Sequence, residues 1–294
     1  NSWRGQRLVG TILKKLLGYV EIKTKITNVF PFLMGLAYLH LSGDRIDPLK
    51  TVVFFSGMFC FDLTATALNN YCDTRKNQQP LPFARRTARR ILLVLLAVSV
   101  ILGLFLVYLS DPAVLLLGLL CFFFGIIYSF GPVPLSHGPY GEIVAGFFYG
   151  LVIPALLIYL NLPAGGLFSY QLDGGELAIS LELRSVARLL LLSVVPFCLT
   201  ANIMLANNLC DVEQDVAVNR YTLAYYLGSK ALWLFAALYY IAYLSVVLMV
   251  AAGFLPPLSL LLLVSLFPVQ KNIRKFFNKQ GKEETFILSI KNFL

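Results

Sequence analysis

The sequence predicts an all-α polytopic membrane protein, with about nine transmembrane helices in two pseudo-repeated halves around a central cavity. Three observations lead there. The 294 residues are 58% hydrophobic and only 13% charged, with a mean hydropathy of +0.76, a balance that soluble domains rarely reach. Apolar runs recur that are long enough to cross a hydrocarbon core of about 30 Å. A polar phrase also occurs twice, each time directly after an apolar run. Asn69-Asn70-Tyr71-Cys72-Asp73 and Asn207-Asn208-Leu209-Cys210-Asp211 share the pattern N-N-x-C-D, continuing to Asn77 and to Asp215.

Spans are expected near 26–42, 50–71, 91–109, 113–130, 141–161, 187–206, 229–252 and 254–270. A ninth begins near 284 and stops at Leu294, too short to cross. The chain starts at Asn1 rather than Met, so trimmed or incompletely represented termini are expected, with no cleavable signal peptide visible. Between the spans, 72–90 is polar and basic around the helix-breaking Pro80-Leu81-Pro82. The stretch from Gly131-Pro132-Val133-Pro134 to Glu142 is turn-rich, and 207–228 is a second polar insertion. The segment 162–186, with Gly165-Gly166 and Gly174-Gly175, reads as a plain external loop. The two motif copies end spans two and six. That even offset makes the repeat parallel rather than inverted, within a single membrane domain covering 1–294.

The net charge of +9 is distributed as in a membrane protein, not as in a nucleic-acid binder. With a cytoplasmic N-terminus, 19 of the 24 basic residues fall on the cytoplasmic side. Arg45, Lys50, Arg184 and Arg188 fall opposite, and Lys291 lies in the last span. The positive-inside rule then places the N-terminus and both motifs at the cytoplasmic face of a cell membrane. The five cysteines, Cys60, Cys72, Cys121, Cys198 and Cys210, contain no C-x-x-C pair, so neither a disulfide framework nor a zinc site is signalled.

Steps of four keep Asn69, Asp73 and Asn77 near one helical face, and likewise Asn207, Asp211 and Asp215. Polar groups at membrane depth are costly, so two matched copies point to a shared site. Asp211 and Asp215 can face one ion, with Asp73 and the amide oxygens of Asn69, Asn70 and Asn77 opposite. Such oxygen ligands suit Mg²⁺, which favours one or two carboxylates plus substrate phosphates. Asp73, Asn77, Asp211 and Asp215 are the candidate metal ligands. Lys23, Lys25, Arg75, Lys76 and Arg220 supply positive charge at the same mouth. A diphosphate at the membrane surface with an apolar tail in the bilayer satisfies both features.

At these residues the chain resembles the UbiA-type intramembrane prenyltransferases, which carry N-D-x-x-D-x-x-x-D after span two and D-x-x-x-D after span six. The segments Asn207–Asp215, Asn219-Arg220-Tyr221-Thr222-Leu223 and Tyr128-Ser129-Phe130-Gly131-Pro132-Val133-Pro134-Leu135 with Gly141-Glu142 are similar to its 1,4-dihydroxy-2-naphthoate branch. The resemblance implies Mg²⁺-dependent transfer of a polyprenyl group from a prenyl diphosphate to an aromatic acceptor, with Asp73, Asp211 and Asp215 catalytic. Loss of the diphosphate would leave an allylic cation, which the naphthoate ring attacks as its carboxyl group departs as CO₂. Asn70 and Asn77 stand where the family usually has Asp, so the first motif carries less negative charge.

The remaining candidates each have two readings. Arg220 precedes Thr-Leu where family members place a diphosphate-binding Arg. Lys23 is either a diphosphate contact or part of the positive-inside bias. Asp62 either compensates for the thinned first motif or orients helices as a buried acid. Tyr128 touches substrate or anchors at the interface. Glu142 meets the acceptor or caps its helix. Asn207 and Asn208 complete the substrate set, and Arg85, Arg86, Arg89 and Arg90 read as lipid-headgroup anchors. A secondary transporter and a non-catalytic quinone-precursor-binding protein are the alternatives from other classes; other acceptors are 4-hydroxybenzoate, homogentisate, haem and a glyceryl phosphate.

Overall fold

The computed structural model of the chain describes residues 2–74, 80–131 and 134–294. It is almost entirely helical, and its contacts divide it into two compact units, each carrying one copy of the motif.

The first unit comprises Asn1–Val29 and Asp47–Leu135. Helix α1 (Ser2–Tyr19) ends where Tyr19 and Val20 are buried with Ala67, Ala88 and Leu92. The Tyr19 hydroxyl donates to the Ala67 carbonyl at 3.0 Å. Glu21 takes a left-handed conformation (φ 48°) and starts a 3-10 turn, Ile22–Lys25. Helix α2 (Ile26–Ser42) follows, its residues from Phe30 onward belonging to the second unit. Helix α3 (Pro48–Asp73) starts sharply because Asp47 accepts from the Lys50 amide at 3.0 Å and Pro48 occupies the first turn, where a missing N–H costs nothing. Helices α4 (Arg85–Leu109) and α5 (Pro112–Ser129) pack on α3, with Phe61 of α3 and Phe122 of α5 at 4.3 Å between ring centroids. Asp111 caps α5 as Asp47 caps α3, accepting from Ala113 at 2.8 Å.

The second unit comprises Phe30–Ile46 and Ser136–Leu294. Its fifth span is continuous over Gly141–Asn161 but consists of α6 (Gly141–Ala145), a π-helical stretch Gly146–Val152 and α7 (Ile153–Asn161). That stretch lies against α8 (Leu183–Cys210) at a contact only glycine permits. A Cβ on Gly150 would sit 2.3 Å from the Phe197 backbone. After α8 come α9 (Val212–Ala217), α10 (Leu223–Leu227) and α11 (Lys230–Ala251). A 3-10 segment Pro257–Ser265 runs directly into α12 (Leu266–Asn278), and α13 (Phe286–Phe293) is last. The core joins Leu205 and Ala206 of α8, Phe235 and Tyr239 of α11, and Ile273 and Phe276 of α12.

Two expectations change. Among the described residues six helices are long and apolar enough, by length and composition, to span a membrane. Helix α2, with 17 residues, is at the lower limit for a span. The stretch expected as a helix over 254–270 is a 3-10 segment from Pro257 that becomes α-helical only at Leu266 and continues to Asn278. The external loop 162–186 contains an antiparallel hairpin, β1 (Phe168–Asp173) with β2 (Glu176–Leu181). Gly174 and Gly175 both have positive φ, 55° and 90°, and the two-residue turn they form matches strand twist.

Candidate active site

The second motif copy sits at the end of α8. Asp211 leaves helical geometry (φ −115°, ψ 10°), yet the Asp215 amide still donates to the Asp211 carbonyl at 2.8 Å. The four-residue step that relates the two acids therefore survives the break between α8 and α9. Asn219, at φ 58°, then turns the chain back, and the Arg220 amide donates to the Asp215 carbonyl at 2.8 Å.

That reversal delivers the Arg220 guanidinium to three partners. It lies 3.5 Å from Asp215 Oδ1, donates to the Ser136 carbonyl at 2.9 Å and donates to Asn208 Oδ1 at 3.3 Å. Asn208, only 1% exposed, uses its amide nitrogen on Glu142 Oε1 at 2.8 Å. Tyr221 donates to the His137 carbonyl at 2.9 Å, so the turn-rich loop after α5 is stitched to the segment after α9. Glu142, Asn208, Asp215 and Arg220, named separately from the sequence, form one connected network. Burial pushes the Asp215 carboxyl above its usual range, against the lowering effect of Arg220 and with a further rise from Asp211. Asp215 Oδ2 and Glu142 Oε2 are buried without a hydrogen-bond partner, an arrangement that calls for a donor or a cation.

A residue absent from the sequence-based candidates completes this side. Lys282, in the connection from α12 to α13, forms an ion pair with Asp211 and donates to Asn207 Oδ1 at 2.5 Å. The sequence shows only that Lys282 shares a membrane side with the motif; nothing in its spacing signals the contact.

In the first unit, Asn69 donates to Asp73 Oδ2 at 3.0 Å across one turn of α3. Asn70 points elsewhere: its amide nitrogen donates to the Tyr19 carbonyl at 2.9 Å and to Glu21 Oε1 at 3.1 Å. Asp62 is buried and paired with Lys25 at 3.1 Å, and it accepts from Asn28 at 2.5 Å. Lys25 also donates to Thr66. This buried set joins the turn before α2 to the middle of α3. Lys23 is exposed on the same turn, and Tyr128 is half-buried near the end of α5. Arg85 is not a free surface anchor: it donates to the Tyr71 carbonyl at 3.2 Å and lies over the Tyr71 ring. Arg86, Arg89 and Arg90 are exposed. Arg75, Lys76 and Asn77 lie outside the described residues.

The donor set of the second copy fits a hard divalent cation. Asp211 and Asp215 offer carboxylate oxygens and Asn207 an amide oxygen, and a buried carboxylate oxygen of Asp215 lacks a partner. Among the described residues no three His, Cys, Asp or Glu side chains gather into a ready cage. Oxygen donors of this kind are those a hard divalent cation takes alongside waters and phosphate oxygens.

A model of the UbiA prenyltransferase family matches residues 28–290. The chain is 28% identical over 247 residues to a Bacillus subtilis (strain 168) protein named 1,4-dihydroxy-2-naphthoate octaprenyltransferase, covering 80% of this chain and 73% of that protein. Its fold is similar to the apo structure of a UbiA homolog from Aeropyrum pernix K1, with a TM-score of 0.64 at 16% identity, over 90% of this chain and 94% of that one. It is also similar to a UbiA homolog from Archaeoglobus fulgidus bound to DMAPP and Mg²⁺, with a TM-score of 0.61 at 16% identity, over 95% and 96% of the two chains.

Proposed function

The chain belongs to the UbiA prenyltransferase family, and from that premise we propose that it transfers a polyprenyl group from a prenyl diphosphate to 1,4-dihydroxy-2-naphthoate. The name of the Bacillus relative supports the acceptor. The observation that carries the reading is the network of Glu142, Asn208, Asp215 and Arg220, which leaves a buried carboxylate oxygen on each acid without a partner. Such a site is arranged for a cation, a phosphate and a hydroxyl donor together.

Asp211 and Asp215 in the second copy are assigned to holding Mg²⁺, and the same role is assigned separately to Asp73 and Asn77 in the first. When bound, the ion supplies Lewis-acid neutralisation of the diphosphate. Arg220, oriented by the Ser136 carbonyl and by Asp215, faces the departing diphosphate as the allylic carbon–oxygen bond breaks and its electron pair leaves with oxygen. Asn69, Asn207, Lys23 and Tyr128 are assigned to substrate contact. Glu142 accepts a hydrogen bond from an acceptor hydroxyl through Oε2, raising the electron density of the ring. A ring carbon then bonds to the prenyl carbon; the carboxyl bond breaks, its pair returns to the ring and CO₂ leaves. The bias of basic residues supports a cytoplasmic placement of both motifs, in one prenyltransferase domain covering 1–294.

Incubating the purified protein with Mg²⁺, the dihydroxynaphthoate and donors of increasing length, followed by mass spectrometry of the lipid extract, reads acceptor and donor together. The Asp211→Ala, Asp215→Ala double variant is expected to fold and to lose turnover. Full activity in that variant refutes the assignment of these acids. Transfer to 4-hydroxybenzoate in preference to the naphthoate refutes the acceptor.

A further inference from the structure

The two acids of the second motif copy each have their own internal cation, and the two cations differ in kind. Asp215 is 10% exposed at its side chain and its partner Arg220 is 23% exposed; the Arg220 guanidinium is held by two further bonds, to the Ser136 carbonyl and to Asn208 Oδ1. Asp211 is 17% exposed and its partner Lys282 is 47% exposed. Arg220 is therefore fixed, whereas Lys282 reaches the motif from the rim on a long flexible stem. The base of its loop is secured independently of the ammonium. Lys279 pairs with Glu284 at 2.7 Å, and the Gly281 amide donates to Thr285 Oγ1 at 2.9 Å. The ammonium can move while the loop stays.

Its two contacts, Asn207 Oδ1 and Asp211 Oδ2, are oxygen atoms of the kind that a hard cation takes. An ammonium and a divalent ion cannot share them. We propose that Lys282 is a displaceable counter-cation of the active site. It holds Asn207 and Asp211 in position while no divalent ion is bound, yields them when one arrives, and then offers its charge to the diphosphate. The inference rests on Asp211 being an ion-holding residue, as proposed above. It makes Lys282 a positioning residue for the metal and a binding residue for the donor.

Metal binding by itself tests the first half. Mn²⁺ alone, with neither donor nor acceptor, would be titrated into wild type, Lys282→Met and Lys282→Arg in detergent, and the free ion read by electron paramagnetic resonance. Removing a competing, half-exposed ammonium should tighten Mn²⁺ binding in Lys282→Met by about two- to fivefold, with Lys282→Arg close to wild type. Unchanged or weaker binding in Lys282→Met overturns the displacement. Lys282→Gln repeats the measurement should Lys282→Met fold poorly.

Steady-state kinetics at saturating Mg²⁺ test the second half. The KM for the prenyl diphosphate should rise about tenfold in Lys282→Met with kcat little changed, as expected when binding common to ground and transition state is lost. An unchanged donor KM overturns the hand-over to diphosphate. A wild-type protein that binds no Mn²⁺ overturns the role of Asp211, and this inference with it. Absence of transfer to the naphthoate would refute only the acceptor and leave the Mn²⁺ comparison valid.

Discussion

Replacing Asn208 by Leu removes the joint of the second motif with little change of volume, so the loss is polar rather than steric. Two bonds disappear: the donation to Glu142 Oε1 at 2.8 Å and the acceptance from Arg220 at 3.3 Å. Glu142 is 3% exposed, and its other oxygen already lacks a partner. The variant therefore leaves a buried carboxylate with neither oxygen satisfied. A hydrogen bond to a charged group is worth about 1.5–3 kcal/mol, and stranding the charge adds to that, so we expect a loss of about 3 kcal/mol. Glu142 can relieve part of this by taking up a proton, which makes the effect conditional on its charge. Placing Asn208→Leu in a Glu142→Gln background should thus cost about 1–2 kcal/mol less than in wild type, a coupling of the size seen for residues in contact. Unfolding in mixed detergent micelles, followed by circular dichroism, measures all four proteins. Prenyl transfer should fall about tenfold in the single variant because Arg220 loses one of its anchors. An Asn208→Leu midpoint equal to wild type, or the same shift with and without the Glu142 charge, refutes the reasoning.

Gly150→Ala should be among the most damaging small substitutions in the chain. Its Cβ would fall 2.3 Å from Phe197 backbone atoms, which cannot move without displacing α8, at a cost of about 1–3 kcal/mol or more. Gly118→Ala, with nothing within 4 Å of the new Cβ, is the matched control, and the yield of monodisperse protein on size exclusion should fall only for the first. Asn70→Asp restores the residue usual in the family yet should destabilise the metal-free protein by about 1–3 kcal/mol. The side chain faces two acceptors, the Tyr19 carbonyl and Glu21 Oε1, and the new carboxylate has nothing to donate. A higher unfolding midpoint for Asn70→Asp without metal would refute that account.

The helical architecture was legible because hydropathy reports on the solvent each residue meets, and lipid imposes long uninterrupted runs. Boundaries were less so: Pro257–Ser265 is as apolar as its neighbours, and the 3-10 geometry depends on how it meets adjacent helices. The hairpin is harder to read because Gly174-Gly175 marks a loop as readily as a tight turn, although the alternation of Tyr170 and Leu172 with polar residues carries a strand signal. Within the site, a four-residue period identified the acids, since that relation is local. Lys282 and Asp211 are 71 residues apart; a contact of that range leaves no trace in periodicity. The same holds for Arg85, whose run of basic neighbours looked uniform until its bond to Tyr71 distinguished it.

Both copies of the motif divide their two asparagines in the same way. The second asparagine is structural in each: Asn70 donates to Glu21, and Asn208 donates to Glu142. Glu21 precedes the helix that leads to α3, and Glu142 stands at the start of the span before α8. The repeat therefore extends beyond N-N-x-C-D to a glutamate at the head of the preceding span, a relation invisible in the sequence because the separations differ, 49 residues against 66. The first asparagine stays beside the acid, with Asn69 bonded to Asp73 and Asn207 sharing Lys282 with Asp211. Position 70 thus needs an amide because its task is donation, which a carboxylate cannot perform at neutral pH. The thinner charge of the first copy follows from how its helix end is fastened.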